Sequence, residues 1–214
     1  MKARASPILL LRRWVAPVVF SGVTCSNFLA LEEFDALPPL EQLDFSLVQP
    51  NEPYELWELR QGFESGVHRA LGSGGTLPRE AVSPVMLALF DATQSGVGFA
   101  VACLPGYCYK YFISLRGSAI NTWSDAAAAR AFLGSIDNPV EAALLVQALG
   151  YYWGNTKEEA AVRRTADGFE VVALALIGAC APVRVDRFVL LVSSTGAHRV
   201  LRSQVWREDR NACI

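Results

Sequence analysis

Apolar and polar residues alternate most regularly between residues 109 and 123. The apolar positions of the first run are Tyr109, Tyr111, Ile113 and Leu115, set among Lys110, Ser114 and Arg116. A period of two is typical of a half-buried strand, and Gly117-Ser118 provides a tight turn before residues 119–123 return. The pattern therefore predicts a β-hairpin.

Two helices are predicted directly after this hairpin, because each is marked by capping residues. Ser124 can cap a helix over residues 125–133, which Gly134 ends. The second helix covers residues 140–149 and begins with a capping box. Its cap, its first and third positions and its end are Asn138, Pro139, Glu141 and Gly150.

The last third of the chain is dominated by β-branched and other apolar runs separated by turn residues, which predicts two further hairpins. The four predicted strands are residues 161–164, 169–177, 185–192 and 199–207, with turns at Asp167-Gly168 and Thr195-Gly196.

The first half of the chain gives weaker patterns. Residues 31–53 contain four prolines among acidic residues without a clear period, which predicts an extended arm on the domain surface. From Tyr54 to Leu71 apolar residues recur at steps of three or four, which predicts an amphipathic helix followed by a flexible loop at 72–75. A further helix is predicted over residues 83–94. The apolar positions of the amphipathic helix are Leu56, Leu59, Phe63 and Val67.

This order of elements predicts an α+β fold, in which an antiparallel sheet built from hairpins carries a two-helix insert packed on one face. The predicted organisation is an export signal at residues 1–25, an acidic, proline-containing arm at 26–53 and one α+β domain at 54–214. With 214 residues, 52% of them hydrophobic, the chain can bury a sizeable core.

The N-terminus fits the pattern of an export signal. Basic residues end at Arg12-Arg13, an apolar run covers residues 14–23, and small or polar residues follow at 24–26. The run is shorter than the roughly 20 residues that a membrane span needs. The sequence allows two kinds of processing, which are cleavage near Cys25 by ordinary signal peptidase and lipidation of Cys25. The expected location is the periplasm, the cell envelope or the medium, and the alternative is a cytoplasmic protein with a basic, apolar first helix.

The chain has five cysteines, and removal of Cys25 with the signal would leave four in the domain. The candidates for two disulfides are Cys103, Cys108, Cys180 and Cys213. Four cysteines allow three connectivities, among which the sequence does not choose. We expect Cys213 to be paired, because a free thiol at an exposed tail would be reactive in an oxidising compartment. Five reduced, mostly buried cysteines in a cytosolic protein are the alternative.

Several segments of the second half resemble a set of uncharacterised exported proteins from bacteria. The resemblance lies in Trp123-Ser124, in Phe132-Leu133-Gly134, in Ile136-Asp137, in the segment from Glu141-Ala142 to Gly150-Tyr151, and in the terminal Asn211-Ala212-Cys213-Ile214. It implies export and supplies no activity.

No motif in the sequence predicts catalysis, a cofactor or a metal. The two histidines, His68 and His198, lack a Gly-x-Ser-x-Gly elbow or a His-Glu-x-x-His neighbour, so ordinary structural roles are expected. Gly96-Val97-Gly98 and the glycines at 72–75 are predicted to be loops rather than phosphate cradles. Asp35, Glu41 and Asp44 lack the spacing of a calcium loop. Core packing is expected for Trp57, Trp123, Trp153 and Trp206.

These features favour a non-catalytic binding or structural module of the cell envelope, or a secreted one. The formal net charge of −2 gives no general attraction for nucleic acid, and neither a nucleic-acid partner nor a transmembrane span is expected. The alternative is a small hydrolase whose Ser, His and carboxylate groups come together only in the fold.

Overall fold

The structure is a computed structural model that describes residues 31–99 and 107–214. The strands are β1 (Asp35–Ala36), β2 (Leu56–Phe63), β3 (His68–Gly74), β4 (Cys108–Arg116), β5 (Ala119–Trp123), β6 (Ala161–Thr165), β7 (Gly168–Ala179), β8 (Val183–Val192) and β9 (His198–Asp209). The α-helices are α1 (Pro84–Ala92), α2 (Ala126–Leu133) and α3 (Pro139–Ala148). The predicted α+β fold with antiparallel sheets built from hairpins is confirmed.

The strands form two antiparallel sheets rather than a single one. One sheet has the order β1-β6-β7-β8-β9 and the other the order β3-β2-β4-β5. Helices α2 and α3 lie between them, and the main core joins apolar residues of both sheets to both helices. Every residue of α3 from Val140 to Ala148 is buried, which explains why this helix has no polar face.

Aromatic side chains fill the space between α2 and the second sheet. Phe132 of α2 is fully buried and stacks on Phe112 of β4 with ring centroids 4.5 Å apart. Three further rings surround Phe132 at centroid distances of 5.6 to 5.9 Å, namely those of Tyr54, Trp57 and Trp123. Such ring contacts add to the hydrophobic gain of burial. The expected core roles of Trp57 and Trp123 agree with these contacts.

The predicted amphipathic helix from Tyr54 to Leu71 is wrong, because this segment forms the hairpin of β2 and β3. β2 lacks the alternation of apolar and polar residues that marks a half-buried strand, because it is buried on both faces. Charged residues are usually expected to face solvent. Glu58 and Arg60 are instead buried beside α1 as an ion pair with a 2.7 Å contact. Gly66 takes a φ of +77° in the connecting turn, a conformation that favours glycine. The glycines at 72–75, predicted to be a flexible loop, lie in β3 as far as Gly74.

The other predicted elements agree with the structure to within a few residues. The hairpin of β4 and β5, helix α1 behind Pro84, and strands β6 to β9 are all present. One cap differs, since the side chain of Asp125 rather than Ser124 accepts the hydrogen bond from the amide of Ala128. Asp125 is one residue closer to the helix and so reaches its third amide.

The arm is bound into the core by its apolar residues. Between residues 31 and 53 it forms β1, which pairs with β6, and two short 3-10 turns at Leu40–Gln42 and Phe45–Leu47. Its side chains that reach the main core are Leu37, Leu40, Leu43, Phe45 and Val48. The scattered apolar residues of this segment therefore have a packing role without a regular period.

Asn138 joins the start of α3 to the arm, and its predicted role as the helix cap can be tested. Its Oδ1 accepts hydrogen bonds from the amides of Val140 and Glu141 at 3.0 Å, and its Nδ2 donates to the carbonyl of Leu47 at 2.8 Å. Asn138→Ala should lower the free energy of unfolding by about 0.5–2 kcal/mol, because first-turn amides lose their acceptor. Urea titration of both proteins measures this difference, and an unchanged midpoint would contradict the cap.

The predicted export signal at 1–25, including Cys25, and the candidate Cys103 lie outside the described residues. Within the described ranges, no helix has both the length and the apolar character required to cross a membrane.

Candidate functional site

A row of polar side chains interrupts the apolar inner face of the second sheet. The strand register places Arg69 of β3 opposite Gln61 of β2, and Gln61 opposite Lys110 of β4. Side chains alternate along β4, and Phe112 joins the main core whereas Tyr109 and Tyr111 pack on the opposite side. Lys110 therefore projects from the same face as Phe112, toward α3.

This polar row forms one wall of a cavity of about 360 Å³. The arm contributes Glu41 from the 3-10 turn at Leu40–Gln42, α3 contributes Gln147, and the segment that follows α3 contributes residues 150–155. A volume of this size matches the lower end of small-molecule sites in proteins. The cavity thus lies where the arm, the sheet and the end of α3 meet.

The lining of the cavity carries more positive than negative charge. Arg69 and Glu41 form an ion pair of 3.5 Å, and Arg69 also donates to the Oε1 of Gln61 at 3.3 Å. This pairing leaves the ammonium group of Lys110 as the excess charge among the lining residues. Burial lowers the pKa of Lys110, Arg69 lowers it further, and Glu41 opposes the shift. A half-buried cation of this kind favours an anionic ligand.

Gln147 faces the same cavity from the last turn of α3 and is only 5% exposed. Its Oε1 is buried and has no hydrogen-bond partner among the described residues. An unpaired buried acceptor costs about 1–3 kcal/mol, and native structures contain few such groups. The amide of Gln147 is therefore a polar group that the fold itself does not satisfy.

Aromatic residues form the remaining wall. Tyr151 and Trp153 are half-buried and pack against the main core. Tyr151 contacts Phe188 edge to face at 5.2 Å, and the Nε1 of Trp153 donates to the carbonyl of Pro38 at 3.2 Å. These contacts hold both rings in place. Trp153 packs against the main core, as predicted, and it also lines the cavity.

The lowered pKa of Lys110 can be measured because the chain has only three lysines, Lys2, Lys110 and Lys157. After reductive ¹³C-methylation, the signal of Lys110 should titrate at a lower pH in the folded protein than in urea. Lys110→Arg identifies the signal by its loss. A Lys110 pKa equal to or above the urea value would contradict the buried position of the ammonium group.

The same shift has a defined consequence for stability. A lowered pKa means that the folded state binds fewer protons than the unfolded state as the pH approaches the titration range, so stability rises with pH there. At a pH below this range both states are protonated, and the cost of burying the charge is present in full. Because methionine carries no charge to bury, Lys110→Met should leave the stability at pH 7 unchanged or higher.

The two histidines lie outside this cavity. His68 begins β3, where its Nδ1 is 2.9 Å from the Oη of Tyr111, and burial lowers its pKa, with Arg60 adding to the effect. His198 begins β9 and is exposed. Within residues 31–99 and 107–214, neither histidine hydrogen-bonds to a serine or a carboxylate. The structure does not bring together the groups of the hydrolase alternative in this part of the chain.

The acidic residues of the arm are engaged in separate contacts. Glu41 pairs with Arg69, Asp44 accepts a hydrogen bond from the amide of Ser46, and Asp35 lies in β1. Across the described ranges, no three His, Cys, Asp or Glu side chains are grouped as metal ligands.

Two of the candidate cysteines, Cys180 and Cys213, form a disulfide. The expectation that Cys213 is paired is thus confirmed. Cys108 is also disulfide-bonded.

Comparison of the chain with protein-family models, with curated proteins and with solved structures gave no match.

The sequence patterns do not predict this cavity. They place Lys110 at a polar position of a strand, and they place Gln61 and Arg69 within the predicted amphipathic helix. One local signal is present in the sequence. Lys110 lies between Tyr109 and Tyr111, and its neighbours two residues away, Cys108 and Phe112, are apolar. A charged residue on the inner face of a predicted strand indicates either a buried pair or a ligand site.

Proposed function

We propose that the protein is a non-catalytic binding module that takes a small anionic molecule into the cavity between the arm, β4 and the end of α3. The observation that carries the proposal is the ammonium group of Lys110, which is half-buried in the cavity wall and not neutralised by the Arg69–Glu41 pair. An ionic hydrogen bond to a ligand would offset its burial.

The surroundings of the cavity favour binding over a purely structural role. Trp153 is held by its hydrogen bond to Pro38 and Tyr151 by its ring contact with Phe188, so this part of the cavity wall is preformed. A preformed cavity loses little conformational freedom when a ligand enters. Residues that lower the stability of the fold and have no structural role are typical of functional sites. Lys110 and Gln147 both fit that description.

A library of small organic acids, each with its neutral analogue, tests the proposal. Hits are detected by thermal shift and quantified by calorimetry on the wild-type protein. Lys110→Met should weaken the binding of acids about tenfold or more, since an ionic hydrogen bond contributes about 1.5–3 kcal/mol.

Arg199→Met is the matched control, because Arg199 is an exposed cation of β9 that does not line the cavity. It should leave the affinity unchanged. If no acid binds, or if both variants weaken binding equally, the cavity is not the binding site and the proposal is wrong.

We further propose that the module is exported and acts in the cell envelope or outside the cell. The Cys180–Cys213 disulfide supports an oxidising compartment. Intact-mass measurement on fractionated cells should find a chain that starts near residue 25 or 26 outside the cytosol. An increment of the size of a diacylglyceryl group on Cys25 would show a lipid anchor, whereas a full-length chain in the cytosol would contradict export.

A further inference from the structure

The amide of Gln147 restricts which anionic molecules can fit the cavity. We infer that the ligand is a small carboxylic acid that also carries a hydroxyl or an amide, and that this second group pairs with Gln147 while the carboxylate pairs with Lys110. The inference rests on the proposed function, because it assigns a ligand class to the same cavity.

The side-chain amide of Gln147 is unpaired within the described parts of the chain. Its Oε1 is buried without a partner, and its Nε2 makes no hydrogen bond to any residue in the described parts of the chain. Both ends of the amide are therefore free to pair, although the residue is 5% exposed. A half-turn about the last side-chain torsion exchanges the two ends, so either can face the cavity.

Only some chemical groups can satisfy both ends of such an amide. A primary amide both donates and accepts, and its complement is a group that also does both, such as a hydroxyl or another amide. A carboxylate only accepts and would leave the Oε1 of Gln147 unsatisfied. An ammonium group only donates, and it would add a cation to a cavity that already holds Lys110.

Lys110 projects from β4 and Gln147 from the last turn of α3, so they line the cavity from different elements. Tyr151 and Trp153 supply an apolar wall for the carbon frame of the ligand. A molecule that satisfies all these groups has an acid at one end and a hydroxyl or an amide at the other.

Four probes of similar size separate these requirements. D-glucuronate has a carboxylate and hydroxyls, N-acetyl-alanine has a carboxylate and an amide, glutarate has carboxylates alone, and D-glucose has hydroxyls alone. Calorimetry should show that glucuronate, N-acetyl-alanine or both bind about tenfold or more tightly than glutarate and glucose, because a site built for a polar group rejects analogues that lack it. Which of the two binds more tightly decides between a sugar acid and an acylated amino acid.

Gln147→Leu is the deciding variant. It should reduce the affinity of the better probe to near that of glutarate, and it should lower the affinity of glutarate by a smaller factor, because a carboxylate pairs with only one end of the amide. The variant should fold, because leucine is of similar size and removes an unpaired buried amide; an unfolding midpoint at or above that of the wild type checks this. Gln147→Asn, which keeps the amide but shortens its reach, should lose affinity without the same gain in stability.

The outcomes separate the two proposals. If glutarate binds as tightly as the other acids and Gln147→Leu changes no affinity, the inference about ligand class is overturned while the anion-binding function stands. If none of the three acids binds in a manner that depends on Lys110, the proposed function falls and this inference falls with it.

Discussion

Replacing Glu141 by leucine should lower the free energy of unfolding by about 2–4 kcal/mol. The carboxylate of Glu141 is fully buried at the start of α3. Its Oε1 accepts a hydrogen bond from the amide of Gln49 in the arm, and its Oε2 accepts one from the amide of Asp137, both at 2.8 Å. Leucine fills the space but leaves both amides without an acceptor, and each unpaired amide costs free energy.

Urea unfolding followed by tryptophan fluorescence measures the effect. Glu141→Gln should give a smaller loss, because its single amide oxygen can satisfy one of the two donors while its NH₂ group faces the other. Glu80→Leu is the control, since Glu80 is exposed and makes no hydrogen bond or ion pair with another described residue. It should change stability by less than about 0.5 kcal/mol. Equal effects of Glu141→Leu and Glu80→Leu would contradict the role of the buried carboxylate.

The segment around Glu141 shows how far local sequence patterns reach. The cap at Asn138 and the helix behind it could be predicted, because both depend on residues within one turn of each other. The acceptor role of Glu141 toward Gln49 could not, since those residues are 92 positions apart in sequence. The pattern therefore places the helix and leaves the packing of the arm against it undetermined.

The hairpin of β2 and β3 shows the opposite case, in which a local pattern predicts the wrong element. Apolar steps of three or four suit a helix only if one face is polar. In β2 both faces are buried, and the charges of Glu58 and Arg60 neutralise each other inside the protein, with Arg79 adding a second contact to Glu58 at 2.6 Å. The spacing of apolar residues contains no information about which buried charges pair in the fold, so the pattern predicts a helix where the structure has a strand.

The cavity could not be predicted for the same reason. Its polar groups come from β2, β3, β4, α3 and the arm, and only the register of the sheet places Arg69, Gln61 and Lys110 side by side. The predicted helix over residues 54–71 includes Gln61 and Arg69, and a helix does not align them with Lys110. The polar row follows only when both segments are strands paired in this register.

Removing the disulfide between Cys180 and Cys213 should lower the free energy of unfolding by about 2–4 kcal/mol. The bond closes a loop across a sequence separation of 33 residues and thereby restricts the unfolded chain. In the folded state it ties the end of the chain to the turn between β7 and β8. The amide of Ala181 donates to the carbonyl of Ala212, and the amide of Ile214 donates to that of Ala179, both at 2.9 Å.

The double variant Cys180→Ser, Cys213→Ser tests this without creating a free thiol. Its unfolding midpoint in urea should fall relative to the wild type under oxidising conditions, and the amides of Ala181 and Ile214 should exchange their hydrogens faster, because chain ends fray when they are not tied down. Reductant provides the control: it opens this disulfide in the wild type and the bond at Cys108 in both proteins, so the two midpoints should then converge. A midpoint difference that persists in reductant would assign the loss to the serine substitutions, and no difference under oxidising conditions would show that the terminal bond contributes nothing to stability.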